Sequence, residues 1–137
     1  MRPPVSRILM PVLLFLWVIL ITFLSITPAD QFSSGIFNIK HLDKAAHFMF
    51  YFVFALLLYR ILTDYMKTSP TIIIIIAAVI PIVYSGGIEL FQEYLTTTRE
   101  ADFFDFLMNI IGATVAVLLG RKLIKYELQK QYIREFS

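Results

Sequence analysis

The chain predicts an all-α fold, an integral membrane four-helix bundle with both termini cytoplasmic, and three observations lead there. Hydrophobic residues make up 58% of the 137 and charged residues only 16%, with a mean hydropathy of +0.75, too apolar for a water-soluble domain of this length. The apolar residues gather into four runs, each separated from the next by charged or helix-breaking residues. Lysine and arginine are spread unevenly between the connections, as membrane orientation requires. This amounts to one transmembrane domain over residues 1–120 and a basic cytoplasmic tail over 121–137.

The first span covers residues 8–26, a charge-free run behind Arg2 and Arg7. A hydrocarbon core needs about 20 helical residues, so it is long enough to cross. It exceeds the roughly 7–15 residues of a signal-peptide core, and Pro28 directly follows the weak small-residue pair Ser25 and Thr27, so we expect the span to be retained. Pro28, Asp30 and Gly35 then mark a water-facing loop. The second span, about 43–62, is rich in aromatic residues, and Asp64 and Lys67 lie in the polar connection after it. The third, 71–90, opens with five consecutive isoleucines, and Pro81, Gly86 and Gly87 predict a kink or unwinding of its second half. The fourth covers 103–120, and the tail alternates charge with Leu123, Ile124, Tyr126 and Ile133.

Four crossings from a cytoplasmic N terminus place nine of the twelve basic residues inside and only Lys40, Lys44 and Arg99 outside. The tail is suited to anionic headgroups as well as to fixing orientation. A net charge of +2 gives no reason to expect nucleic acid as a partner, and the absence of cysteine excludes disulfides and thiolate metal sites. There is no glycine-rich phosphate loop, nucleophile elbow or HExxH zinc motif.

Against this apolar background the polar residues of the second to fourth spans need a reason, because an ionisable group in or beside hydrocarbon is costly unless paired or wetted. Between their charges the second and fourth spans hold only 15 residues, from Ala45 to Tyr59 and from Phe106 to Gly120. Such runs rise about 22 Å, against about 30 Å of hydrocarbon. Arginine can snorkel out, but Asp43 and Asp105 lack the reach. Helical spacing puts Asp43 and His47 on one face with Tyr51 and Phe54 continuing it, Glu89 and Gln92 on another, and Asp102, Asp105, Asn109 and Gly112 in one stripe. All lie at the outer end, and the expectation is one shared, wetted cavity there.

These residues are similar to a known pattern. Asp43, Lys44 and His47 before an aromatic helix, then Glu89 and Gln92, Arg99, Asp105, Asn109 and Gly112, resemble the VanZ-like family of small bacterial integral membrane proteins over nearly the whole chain except the basic tail. The resemblance implies a multi-pass protein of the bacterial cytoplasmic membrane, and the family name comes from an accessory protein associated with teicoplanin resistance. It implies no settled activity.

Each candidate residue carries two readings. His47 is a general acid or base, or a ligand through one ring nitrogen, whose tautomer Asp43 would fix; otherwise it is an inert interfacial histidine. Glu89 and Asp105 are partner carboxylates in catalysis or hard ligands for a divalent metal, although no specific motif supports a metal; otherwise Arg99 and Lys44 neutralise them. Arg99 suits an anion clamp, with Asp43, Lys44, Gln92 and Asn109 as further substrate contacts. Asn109 also suits a bond across helices, and Gly112 with Ala113 or Ala116 a close approach. Trp17, near the middle of its span, reads as packing, and Ser85 has no evident sequence partner.

The expected function is binding of an anionic amphiphile, a lipid headgroup or a lipid-linked envelope precursor, with an effect on glycopeptide susceptibility. The alternatives are an intramembrane hydrolase or transferase using His47 with Glu89 or Asp105, and a structural subunit of a larger complex. Whether the chain catalyses a reaction and what its oligomeric state is stay open.

Overall fold

The computed structural model describes residues 4–27, 42–95 and 102–136, and within them the chain folds into four helices: α1 (Pro4–Ile26), α2 (Leu42–Tyr65), α3 (Pro70–Leu95) and α4 (Phe103–Phe136). All four are long and apolar enough to cross a membrane. Helix is what lipid demands, since each backbone N–H and C=O must find a partner inside its own segment.

The helix starts are written in the sequence. Ser69 caps α3 by accepting from the Ile72 amide at 3.3 Å, and Pro70 occupies the first helical position, where its missing N–H costs nothing. Asp102 caps α4, its Oδ1 accepting from the Phe104 amide at 2.7 Å. The expected unwinding in α3 is absent: the helix is continuous through Pro81, Gly86 and Gly87 to Leu95. Unwinding there would strip several carbonyls and amides of partners inside hydrocarbon, a larger penalty than the single bond that Pro81 forfeits. The helices also outrun their charge-free cores, so that α2 has 24 residues instead of the 15 between its charges. The basic tail is a direct continuation of α4, whose 34 residues form one helix.

The packing explains how polar groups reach one level. α2 makes its most extensive interface with α4, built on small residues: Ala55 is fully buried in one cluster with Ala113, Ala116 and Val117, which Ala77 of α3 joins. At the crossing, Gly112 approaches the α2 backbone so closely that a Cβ placed on it would lie 2.3 Å from the carbonyl oxygen of Phe48. Small residues permit such approach, and in lipid close packing replaces the hydrophobic effect as the force between helices. α1 docks on the other side of α2 through Ile21, Tyr51, Phe54 and Leu58. Trp17 is packing, and more: its indole N–H donates to the Phe50 carbonyl at 2.9 Å. Thr22 and Tyr84 join α1 to α3 by a hydroxyl–hydroxyl hydrogen bond.

At the far end of α2, Arg60 reaches both Glu127 of α4, with its Nη2 3.2 Å from Oε2, and Asp64, with its Nε at 3.6 Å from Oδ2. The C-terminal end of α2 is thus tied to α4 where the latter leaves its apolar stretch. The end of α1, the start of α2, the end of α3 and the start of α4 gather at the opposite pole.

Candidate functional site

The site is assembled by helix ends. Asp43, Lys44 and His47 occupy the first two turns of α2, Ser85 and Glu89 lie one turn apart in the second half of α3, and Asp102, Asp105 and Asn109 open α4. Antiparallel neighbours bring these three stretches to one depth.

Its deepest layer is a neutral chain. Asn109 is 1% exposed and Ser85 fully buried; the Asn109 amide nitrogen donates to Ser85 Oγ at 2.6 Å, leaving Oδ1 as the atom that meets His47 Nδ1 at 3.1 Å. An amide oxygen only accepts, so Nδ1 carries a proton, and in the neutral ring Nε2 presents the lone pair. Tyr51, one turn beyond His47, is equally buried and sets its hydroxyl against Ser85.

Above this layer come the charges. His47 Nε2 lies 3.9 Å from Asp43 Oδ1 and 3.8 Å from Asp105 Oδ2, close but beyond hydrogen-bond length. The other Asp105 oxygen, Oδ1, accepts from Lys44 Nζ at 3.0 Å, and Lys44 also donates to Asp102 Oδ2 at 2.9 Å while lying over the Phe104 ring. Asp102 precedes the membrane span, and the Lys44 ammonium together with the Phe104 amide holds its carboxyl below the usual carboxylate range. The Lys44 ammonium is therefore engaged by two acids.

Glu89 is the outlier. It is buried, at 7% exposure, and its Oε1 has no hydrogen-bond partner among the described residues. An unmet buried carboxylate oxygen is expensive. Glu89 and Asp102 also line an open groove of about 450 Å³ with Gly86, Leu90, Phe103 and Phe106, between α3 and α4.

Of the residues singled out from sequence, the structure brings Asp43, Lys44, His47, Glu89, Asp105 and Asn109 into this one cluster. Gln92 is buried, but its amide nitrogen donates to the Ser25 carbonyl at 2.7 Å, tying α3 to the last turn of α1. Arg99 lies outside the described residues, and so does the threonine run before it. The tautomer of His47 is fixed by Asn109, where sequence spacing pointed to Asp43; an acid four residues earlier on the same helix reaches only the outer ring nitrogen. One member was missed, and one that the sequence had placed in the α4 stripe had been given no role. Ser85 has its partner on another helix, and the only signal for it was its place one turn before Glu89 on the same face; Asp102 revealed its role only through the cap and Lys44.

In chemical terms the cluster offers a base or ligand nitrogen at His47 Nε2, two carboxylates beside it and a third in the wall with one oxygen unmet. Asp43, His47 and Asp105 each supply one ligand atom, all within 4.8 Å of one another.

Comparison with known proteins agrees with the pattern. An uncharacterized protein, C11E3.10, of the fission yeast Schizosaccharomyces pombe is 31% identical over 94 residues, which is 64% of this chain. The chain spans about half, 55%, of the length of that relative. No solved structure matches. The VanZ/LLP1 family model matches residues 9–125, which takes in the whole cluster, α2 and α3, and most of α1 and α4. This chain is a multi-pass membrane protein and belongs to the VanZ-like family.

Proposed function

We propose that the chain binds an anionic amphiphile, with the headgroup at the ionisable cluster and the tail along the groove between α3 and α4. The observation that carries this is the meeting of the two: Glu89 and Asp102 share one wall with Gly86, Leu90, Phe103 and Phe106. A space of this size falls within the range of ligand pockets, about 300–1,000 Å³. Its polar end lies where headgroups lie. A relative in a eukaryote favours a headgroup that bacterial and eukaryotic membranes share, a phosphate, over one peculiar to bacterial walls. An effect on teicoplanin susceptibility would follow where the amphiphile is a lipid-linked wall precursor.

We place the cluster at the extracytoplasmic face of a bacterial cytoplasmic membrane, both termini inside, on the nine-to-three division of basic residues. Because the chain has no cysteine, single cysteines introduced near Asp43 and at Ser137 can be labelled from either side to check this. For the headgroup, spin-labelled phosphatidic acid and phosphatidylcholine compete for the protein in nanodiscs. Phosphatidic acid should be retained preferentially, and Gly86→Leu, which fills the groove, should weaken retention about tenfold, a loss of about 1.4 kcal/mol. Equal retention of both lipids, indifferent to Gly86→Leu, refutes the reading.

A second reading, an intramembrane hydrolase or transferase on a lipid-like substrate, is favoured by one feature: His47 Nε2 makes no hydrogen bond among the described residues and faces the carboxylates. For a phosphoester, Nε2 would take a proton from water as its oxygen attacks phosphorus. The bond to the leaving alcohol breaks and the imidazolium returns the proton to it. Turnover by purified protein, lost in His47→Gln with the fold kept, tests this.

A further inference from the structure

The headgroup reading leaves an electrostatic question. Among the described residues the cluster sets four carboxyl groups, Asp43, Glu89, Asp102 and Asp105, against one ammonium, Lys44, which two of those acids already bind. Those acids repel a phosphate unless a cation offsets them. Three features show where such a cation would sit.

The first is the donor set. Asp43 Oδ1, His47 Nε2 and Asp105 Oδ2 converge, with the nitrogen 3.9 and 3.8 Å from the two oxygens and all three atoms within 4.8 Å. Ligand bonds of about 2.1 Å at tetrahedral angles hold donor atoms about 3.4 Å apart. The observed spacing is open by less than half an ångström on both sides of the nitrogen, and Asp43, whose side chain is largely exposed, has room to turn inward. The second is the support behind the donors. A metal-bound imidazole characteristically gives its other N–H to an oxygen that fixes its orientation, and here Asn109 Oδ1 accepts from Nδ1, itself anchored on Ser85. Lys44 likewise holds Asp105 Oδ1, so that Oδ2 is the oxygen aimed at His47. The third is independent of both: Glu89, buried one turn beyond Ser85 on α3, has an oxygen without a partner among the described residues. An ion, or water bound to one, would meet it.

We infer that Asp43, His47 and Asp105 hold a divalent cation through one nitrogen and two oxygens, that Glu89 bonds a water on that cation, and that the cation's open positions receive a phosphate oxygen of the amphiphile. One imidazole with two carboxylates suits manganese or zinc better than magnesium or calcium, which take oxygen alone. This deepens the headgroup reading and rests on it only for the phosphate; the ion site stands on its own donors. Ser85 and Asn109 are positioning residues.

The test uses the full chain in detergent, stripped with a chelator and titrated with Mn²⁺. Electron paramagnetic resonance should show one bound ion per chain, with a pulsed-EPR coupling to imidazole nitrogen. His47→Gln should abolish the coupling and the tight binding. Asp43→Asn, at an exposed position where folding is not at stake, should weaken affinity at least tenfold, and Asn109→Ala, which leaves the three donors in place, about 10–100-fold. Absence of saturable Mn²⁺ binding overturns the proposal. So does binding without nitrogen coupling, or binding that Asp43→Asn leaves unchanged. Retention of spin-labelled phosphatidic acid is measured alongside, with and without Mn²⁺. Bound Mn²⁺ without lipid preference keeps the ion and removes the headgroup reading; a lipid preference unaffected by the chelator keeps the headgroup reading and overturns the bridging ion.

Discussion

Substituting the four helical glycines that come closest to a neighbour or to none gives a graded test of how the bundle is held. A Cβ at Gly112 would stand 2.3 Å from the Phe48 carbonyl oxygen, 3.1 Å from its carbon and 3.2 Å from the Phe52 nitrogen, all backbone atoms. No rotamer change relieves that contact. The helices must separate by about an ångström, the gap between 2.3 Å and an ordinary contact of about 3.4 Å. Such overpacking typically costs about 1–3 kcal/mol, and backbone on both sides puts Gly112→Ala at about 3. At Gly120 the Cβ meets Tyr59 ring carbons at 2.7 and 3.2 Å, and a ring can swing, so Gly120→Ala should cost about 1 kcal/mol. At Gly86 the nearest atom is Phe106 Cε2 at 3.7 Å, and at Gly87 nothing lies within 4 Å. Both alanine variants there should stay within about 0.5 kcal/mol of the parent. Reversible unfolding in mixed micelles, read by circular dichroism, ranks all four. If Gly112→Ala is no less stable than Gly87→Ala, the α2–α4 approach described above is wrong. Because Gly112 lies one turn from Asn109, the same variant should also disturb the His47–Asn109 bond.

Other predictions follow from single contacts. Trp17→Phe removes the indole bond to the Phe50 carbonyl and should cost about 0.6–1.7 kcal/mol in the same assay, the range of hydrogen bonds between membrane helices; no change would remove that bond as an anchor for α1. In a His41→Gln background, ¹⁵N NMR of the metal-stripped protein should show His47 protonated at Nδ1, and Asn109→Ala should mix the tautomers; an Nε2–H tautomer in the parent refutes the assignment. A double-mutant cycle on Arg60 and Glu127 should give a coupling of about 0.2–1 kcal/mol that shrinks with salt. Asp102 has its carboxyl held below its unfolded value by Lys44 and the Phe104 amide, so its contribution is complete above the unfolded value and is lost as pH falls through the folded one. Asp102→Asn keeps a capping side chain but should flatten the acid limb of the stability profile; an unaltered acid limb counts against the Lys44 pair.

How far the sequence went can be traced residue by residue. Four helices were legible because lipid imposes one solution on any long apolar run, and the convergence of Asp43, His47, Glu89 and Asp105 was legible because charge in such a run must be gathered. Charge alone did not mark where helices stop: Arg121 looked like the end of the fourth span, yet α4 passes straight through it, since a backbone bonded within itself has no need to end at a polar side chain. Pro81 and the Gly86, Gly87 pair looked like weak points for the same local reason, and the surrounding helices decided otherwise. Partnerships between helices were the hidden part. Ser85 with Asn109, Gln92 with the Ser25 carbonyl and Trp17 with the Phe50 carbonyl join residues 24, 67 and 33 positions apart, and no periodicity within one segment encodes them.

The unbroken length of α4 also makes the protein a mechanical indicator of its own site. Thirty-four residues at 1.5 Å each form a rod of about 51 Å, carrying Asp105 and Asn109 near one tip and the basic segment at the other. A tilt of about 5° that is barely visible at the cluster displaces the distal tip by about 4 Å over that span. A probe on the last turns, remote from every donor atom, would therefore read any tilt of α4 at the cluster as a swing.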